Sequence, residues 1–177
     1  NNNSIAVGTK TVSRGDNAIG IGAYAESTAA RGTAIGVLSQ ANGEGSFAGG
    51  ASAQATGENS VAIGGAKDGT LGNKAGTAAK ATGNNSIALG TQSKAVGDNS
   101  IAQGNGATAK QAADVAVGYN SQANGTSTGS DGDGVVNNAG SAMAIGTDSQ
   151  ATGIVATAIG QRSQALANGA VALGGDA

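Results

Sequence analysis

A glycine returns every fourteen residues along most of this 177-residue chain. It stands at Gly8, Gly22, Gly36, Gly50 and Gly64, then at Gly90, Gly104 and Gly118, then at Gly146, Gly160 and Gly174. The two exceptions are a step of 26 (64 to 90) and a step of 28 (118 to 146). So strict a period means stacked copies of one small unit. Function must then be sought on surfaces along a rod.

The flanking residues repeat as well. Ser4-Ile5-Ala6-Val7-Gly8 returns as Ser60-Val61-Ala62-Ile63-Gly64, Ser86-Ile87-Ala88-Leu89-Gly90 and Ser100-Ile101-Ala102-Gln103-Gly104. A small residue follows three positions after the glycine, often serine (Ser39, Ser93, Ser121, Ser149, Ser163), and alanine two further on. A turn such as Thr56-Gly57-Glu58-Asn59 closes the unit. Ile-Ala-Ile and Ser-x-Ala both alternate with period two, as strands do. Glycine and asparagine suit the left-handed backbone of sharp corners. Fourteen residues hold two short strands and two turns but no helix. The unit is one coil of an all-β parallel solenoid, and eleven coils at about 4.8 Å each make a rod of about 50 Å.

The pattern predicts a thin, flat roll filled by Ile or Val from one strand and by Ser or Ala from the other. The alanine row at 6, 34, 48, 62, 88, 102, 116, 144, 158 and 172 has two readings, as filler inside the roll or as a surface for close approach of another chain. Thr33, Phe47, Gly49, Gln103 and Thr157 replace aliphatic residues and are expected to weaken local packing. Stacked Glu44 and Glu58 are expected to repel mildly.

Composition narrows the chemistry. The chain has no Cys, His, Pro or Trp, and charged residues make up 11%. A Ser-His-Asp triad, thiol chemistry and the usual zinc sites all need residues it lacks. No cofactor is expected, and the chain reads as a non-enzyme. Nine Lys and Arg against eleven Asp and Glu, with three aromatic residues, do not suit nucleic acid. No stretch reads as a signal peptide or membrane-spanning helix, so the chain itself is not expected to insert in a membrane. The repeat is already running at the first residues and continues to Gly174, so the chain reads as a fragment of a longer protein.

The motif Asn3-Ser4-Ile5-Ala6-Val7-Gly8, repeated at Asn59 to Gly64 after Ala55-Thr56-Gly57 and at Asn85 to Gly90 through Ser93, resembles the head repeats of trimeric autotransporter adhesins, the YadA-like head. The resemblance covers nearly the whole chain. It implies a left-handed parallel β-roll, a homotrimer, and a place on the bacterial cell surface, held to the outer membrane by regions outside this chain. It also implies attachment to host cells or extracellular matrix as the function.

On this reading residues 1–177 form a single head domain with insertions at about 67–78 and 126–139. The insertions escape the repeat and are the natural place for ligand-specific contacts. The second equals one coil in length, but Gly129-Ser130-Asp131-Gly132 has no apolar residue before its glycine and reads better as a protruding loop. The candidate ligand-binding residues are Lys67, Asp68 and Lys74 in the first insertion, Asp131 and Asp133 in the second, and Gln122 and Gln150 on a regular outward row. Asp131 and Asp133 offer a calcium ion too few oxygens and read as a solvated turn. The competing functions are a spacer that projects another binding domain and an ice-binding solenoid, although the threonines at 56, 82 and 152 form an interrupted row. An acyltransferase of the left-handed β-helix kind would need six-residue repeats and a histidine.

Overall fold

A computed structural model describes residues 3–66, 77–125 and 140–177. It contains two parallel sheets, of eleven and ten strands, each stacked in chain order. Every coil contributes one three-residue strand to the first sheet, such as Ile87–Leu89, and all but the last contribute a two-residue strand to the second, such as Lys94–Ala95. Pairing keeps the register of the repeat: Ile87 lies beside Val61 and Ile101, and Ala88 beside Ala62 and Ala102. The all-β solenoid of fourteen-residue coils read from the sequence is the observed architecture.

The filling of the roll differs from expectation. Ala62 is 0% exposed, while Ile63 beside it is 45% exposed. The same holds along the rod, with Ala34, Ala48, Ala88, Ala102, Ala116, Ala144 and Ala158 all inside. They pack against Ala41, Ala55, Ala81, Ala95, Ala109, Ala123, Ala151 and Ala165 of the second sheet. The larger residues of Ile-Ala-Ile point outward. The reason is spacing: each coil turns back after two or three residues, and the side chains buried between its strands are those of alanine and serine, with Asp114 as the exception. Of the two readings of the alanine row, the space-filling one holds from Ala34 to Ala158, while Ala6 is exposed and Ala172 half-buried at the ends of the stack. Thr33, Phe47, Gly49, Gln103 and Thr157 therefore sit on the outer face, where they alter a surface and leave the core unchanged.

The serines solve a polar problem in this narrow core. Ser60, Ser86 and Ser100 donate Oγ–H to the carbonyl oxygens of Gly57, Gly83 and Gly97, at 2.7, 2.6 and 2.6 Å. Ser93 and Ser149 do the same to Gly90 and Gly146. These buried hydroxyls are tolerated because the bond is made locally, three residues back, whereas Ser27 and Ser46 make no such bond.

Glycine is required where coils touch backbone to backbone. Gly22 has φ +133°, and a Cβ there would meet the Gly36 oxygen at 2.5 Å. At the other corner a Cβ on Gly57 would meet the Gly83 oxygen at 2.0 Å. Asn17, Asn59, Asn85 and Asn99 take left-handed φ of 52–58° at the corner before the long strand. Two residues after every repeat glycine except Gly64 a second left-handed position occurs, held by Lys10, Tyr24, Leu38, Ser52, Gln92, Gly106, Asn120, Asp148, Arg162 or Asp176. No residue type marks it in the sequence.

Candidate functional site

Three kinds of outward surface result. The first is the exposed side of the eleven-stranded sheet. Its strands present their first and third residues: Ile19 and Ile21, Val61 and Ile63, Ile87 and Leu89, Val115 and Val117, Met143 and Ile145. Ile5, Val7, Ile21, Ile35, Ile63, Met143, Ile159, Val171 and Leu173 are substantially exposed. An apolar strip running through eleven strands, interrupted at Thr33, Gly49, Gln103 and Thr157, exceeds the scattered apolar residues of an ordinary surface. The sequence reading missed it because it assigned the bulky residues to the interior.

The second surface is the outer side of the ten-stranded sheet. Glu26, Gln40, Gln54, Lys80, Lys94, Thr108, Gln122, Gln150 and Gln164 stand in register along it. Gln54 Nε2 donates to Gln40 Oε1 at 3.1 Å, and Gln40 Nε2 to Glu26 Oε2 at 3.4 Å. The candidates Gln122 and Gln150 are direct neighbours here, exposed and half-buried respectively, although 28 positions separate them.

The third comprises the corners from which the insertions leave. Val61 pairs directly with Ile87, and Val115 with Met143, so no coil lies between the members of either pair. The first insertion departs after Ala66, and the chain is back in the stack at Thr77, whose carbonyl accepts the Gln92 N–H at 3.0 Å. The second departs after Gly125 and returns at Gly140, at the other corner of the roll. The candidates Lys67, Asp68, Lys74, Asp131 and Asp133 lie outside the described residues, as do both carboxylates of the calcium reading.

Surface charges are locally matched. Arg31 forms an ion pair with Glu44, and Arg162 Nη2 donates to Asp176 at 2.9 Å. Such exposed pairs are screened by solvent and contribute little to stability. Glu44 therefore faces an arginine as well as Glu58, and the expected repulsion has a counterweight. The Glu58 N–H donates to Asn84 Oδ1 at 2.9 Å, and the Asn84 N–H to Asp98 Oδ1 at 2.8 Å. Side chains at this edge thus bind the backbone of the neighbouring coil.

One carboxylate is different. Asp114 occupies the column of Ser60, Ser86 and Ser100 and is 0% exposed. Its Oδ2 accepts the N–H of Gln111 at 2.8 Å and of Gly125 at 3.4 Å, and its Oδ1 accepts that of Ala142 at 2.9 Å. Burial raises its pKa above the ordinary aspartate value, and the backbone bonds, that from Gln111 first, partly oppose the rise. The sequence signal was a charge in a serine column.

These surfaces offer rows of repeated side chains, suited to extended contact with another macromolecule. No helix among the described residues is long and apolar enough to cross a membrane. No curated protein matches the chain. The family model of the YadA head domain repeat (2 copies) matches residues 1–25, 27–53, 41–66, 75–93, 95–121, 113–128, 138–154 and 155–177. With that coverage, and with a parallel solenoid whose coils keep the repeat's register, the chain belongs to the YadA head repeat family.

Proposed function

We propose that this chain is the adhesive head of a trimeric autotransporter, exposed on a bacterial surface and attaching the cell to host cells or extracellular matrix. The observation that carries the reading is the apolar outer strip of the eleven-stranded sheet, joined to the family match. An alanine-filled roll buries little apolar area per residue, so each chain alone is thinly stabilised. Three rods side by side cover the strip on every copy over its full length. The polar glutamine face and the insertion corners then remain outside. Many identical coils on three chains give avidity from weak contacts. The function is binding rather than catalysis, with membrane attachment through parts of the protein beyond this chain.

Sedimentation equilibrium tests the assembly: the expected mass is three times 16.4 kDa. Adherence of the folded trimer to immobilised matrix proteins and cultured cells tests the function. Removing residues 67–78 or 126–139, which restores the fourteen-residue step, is expected to leave the rod folded and reduce adherence. A folded trimer that binds no host component would support the spacer reading instead.

A further inference from the structure

We propose that Asp114 is a positioning residue that lets the roll accept the 126–139 insertion, by replacing a turn hydrogen bond that the insertion removes. In an uninterrupted coil the corner before the long strand closes on itself: Ser60 N–H donates to Gly57 O at 3.3 Å, Ser100 N–H to Gly97 O at 3.3 Å, and Ala156 N–H to Gly153 O at 3.2 Å. Gly125 and Ala142 hold the corresponding places in the interrupted coil, but seventeen positions separate them instead of three. The Ala142 N–H donates to Asp114 Oδ1 instead.

The carboxylate reaches down from the preceding coil and takes an N–H from each side of the opening, Gly125 on one and Ala142 on the other. Serine cannot do this. Its single oxygen, at 60, 86 and 100, is already directed to the glycine carbonyl of its own turn. A buried charge is otherwise costly, and three backbone donors offset that cost. Gly140 fits the same arrangement. A Cβ there would lie 2.4 Å from Asp114 Oδ1 and 2.4 Å from Gln111 Cβ, whereas equivalent places elsewhere carry Glu58, Asp98 and Ile154. Aspartate above and glycine below are matched to each other at the one described corner that opens in this way. This role is independent of what the insertion binds.

The test is a double-mutant cycle between Asp114→Ser and deletion of residues 126–139. In the parent, Asp114→Ser is expected to lower Tm and to speed amide exchange at Ala142 and Gly125 by roughly tenfold or more, leaving amides near Ala34 unchanged. In the deleted chain the turn bond from Ala142 to Gly125 can form again, and the same substitution is expected to be neutral or stabilising. Failure of Asp114→Ser to fold only when the insertion is present supports the proposal. An equal loss in both backgrounds, or failure to fold in both, overturns it. Asp114→Asn in the parent gives a second reading, since one carbonyl oxygen cannot take the bonds of two. Faster exchange confined to this corner supports the role, and unchanged exchange at both amides overturns it.

Discussion

The ring of Phe47 lies against Gly49, two residues along the same strand: a Cβ on Gly49 would come within 2.9 Å of Phe47 Cε1. Both depart from the aliphatic pattern of the repeat, and each accounts for the other. The ring covers the bare backbone that the glycine leaves on the outer face. Phe47→Val alone is expected to expose that backbone, and Gly49→Ile alone to displace the ring. The double substitution restores the pattern of Val61 and Ile63. Thermal melts of all four chains should give a favourable coupling of about 0.5–1.5 kcal/mol. Additive losses would show that the ring and the glycine are independent.

The two positions of a long strand should fail in different ways. Ala88→Leu forces extra methylenes between the sheets and is expected to cost about 1–3 kcal/mol or more, with loss of β signal. Ile87→Asp places a charge on the outer strip. It is expected to leave the coil able to form but to abolish the trimer. Circular dichroism with sedimentation separates the two. A trimeric Ile87→Asp protein would place the assembly surface elsewhere.

The coil count, strand positions and both glycine corners were legible in the sequence, because sterics there admit few alternatives. Gly22 and Gly57 tolerate no Cβ; the first column holds glycine in all eleven coils, and the second holds it in most, with Ala29, Gln111 and Ala167 as exceptions. The direction of the bulky residues was not legible. Alternation says that Ala62 and Ile63 face opposite ways, but the choice between inside and outside depends on the distance between the sheets, which no local pattern carries. The second left-handed position was silent for a related reason: the stacked backbone imposes it on Lys10, Leu38 and Gln92 alike. Gln122 and Gln150 were correctly placed on one row, since the 28-residue step preserves the phase. Asp114 was visible only as a misfit, because its bonds join residues that the insertion separates.

Val155 illustrates an imposed conformation. It has φ +49°, is 58% exposed, and occupies the position held by Asn59, Asn85 and Asn99. A β-branched side chain is strained there. Val155→Asn is expected to stabilise the fold by about 1 kcal/mol. A lower Tm would mean that the valine makes contacts outweighing its strain.

The pH response of Asp114 has a definite sign. Its folded-state pKa is raised, so the folded chain holds the proton better than the unfolded chain does. Its contribution is fully present below the ordinary value of 3.8 and declines as pH rises through the folded value. Among the described residues, the charged side chains flanking Asp114 are Lys110 on its own turn and Asp98 on the coil before, both exposed, while residues 124–125 and 140–142 on the coil after carry none. Between pH 7 and pH 4 the parent is therefore expected to gain stability relative to Asp114→Ser. A parent that loses relative stability on acidification would reverse the assignment.

Each strand pairs with its counterpart one coil away, so the hydrogen bonds run along the rod and the strands lie across it. A pull along the axis then loads few ladder bonds at a time, at the coil nearest the applied force. A coil that peels away releases fourteen residues, roughly 48 Å of chain at about 3.4 Å per residue. Its neighbours keep their own ladders. Such a rod yields under tension in steps, as a tether that lengthens before it parts, and takes up slack again as coils restack when the load falls.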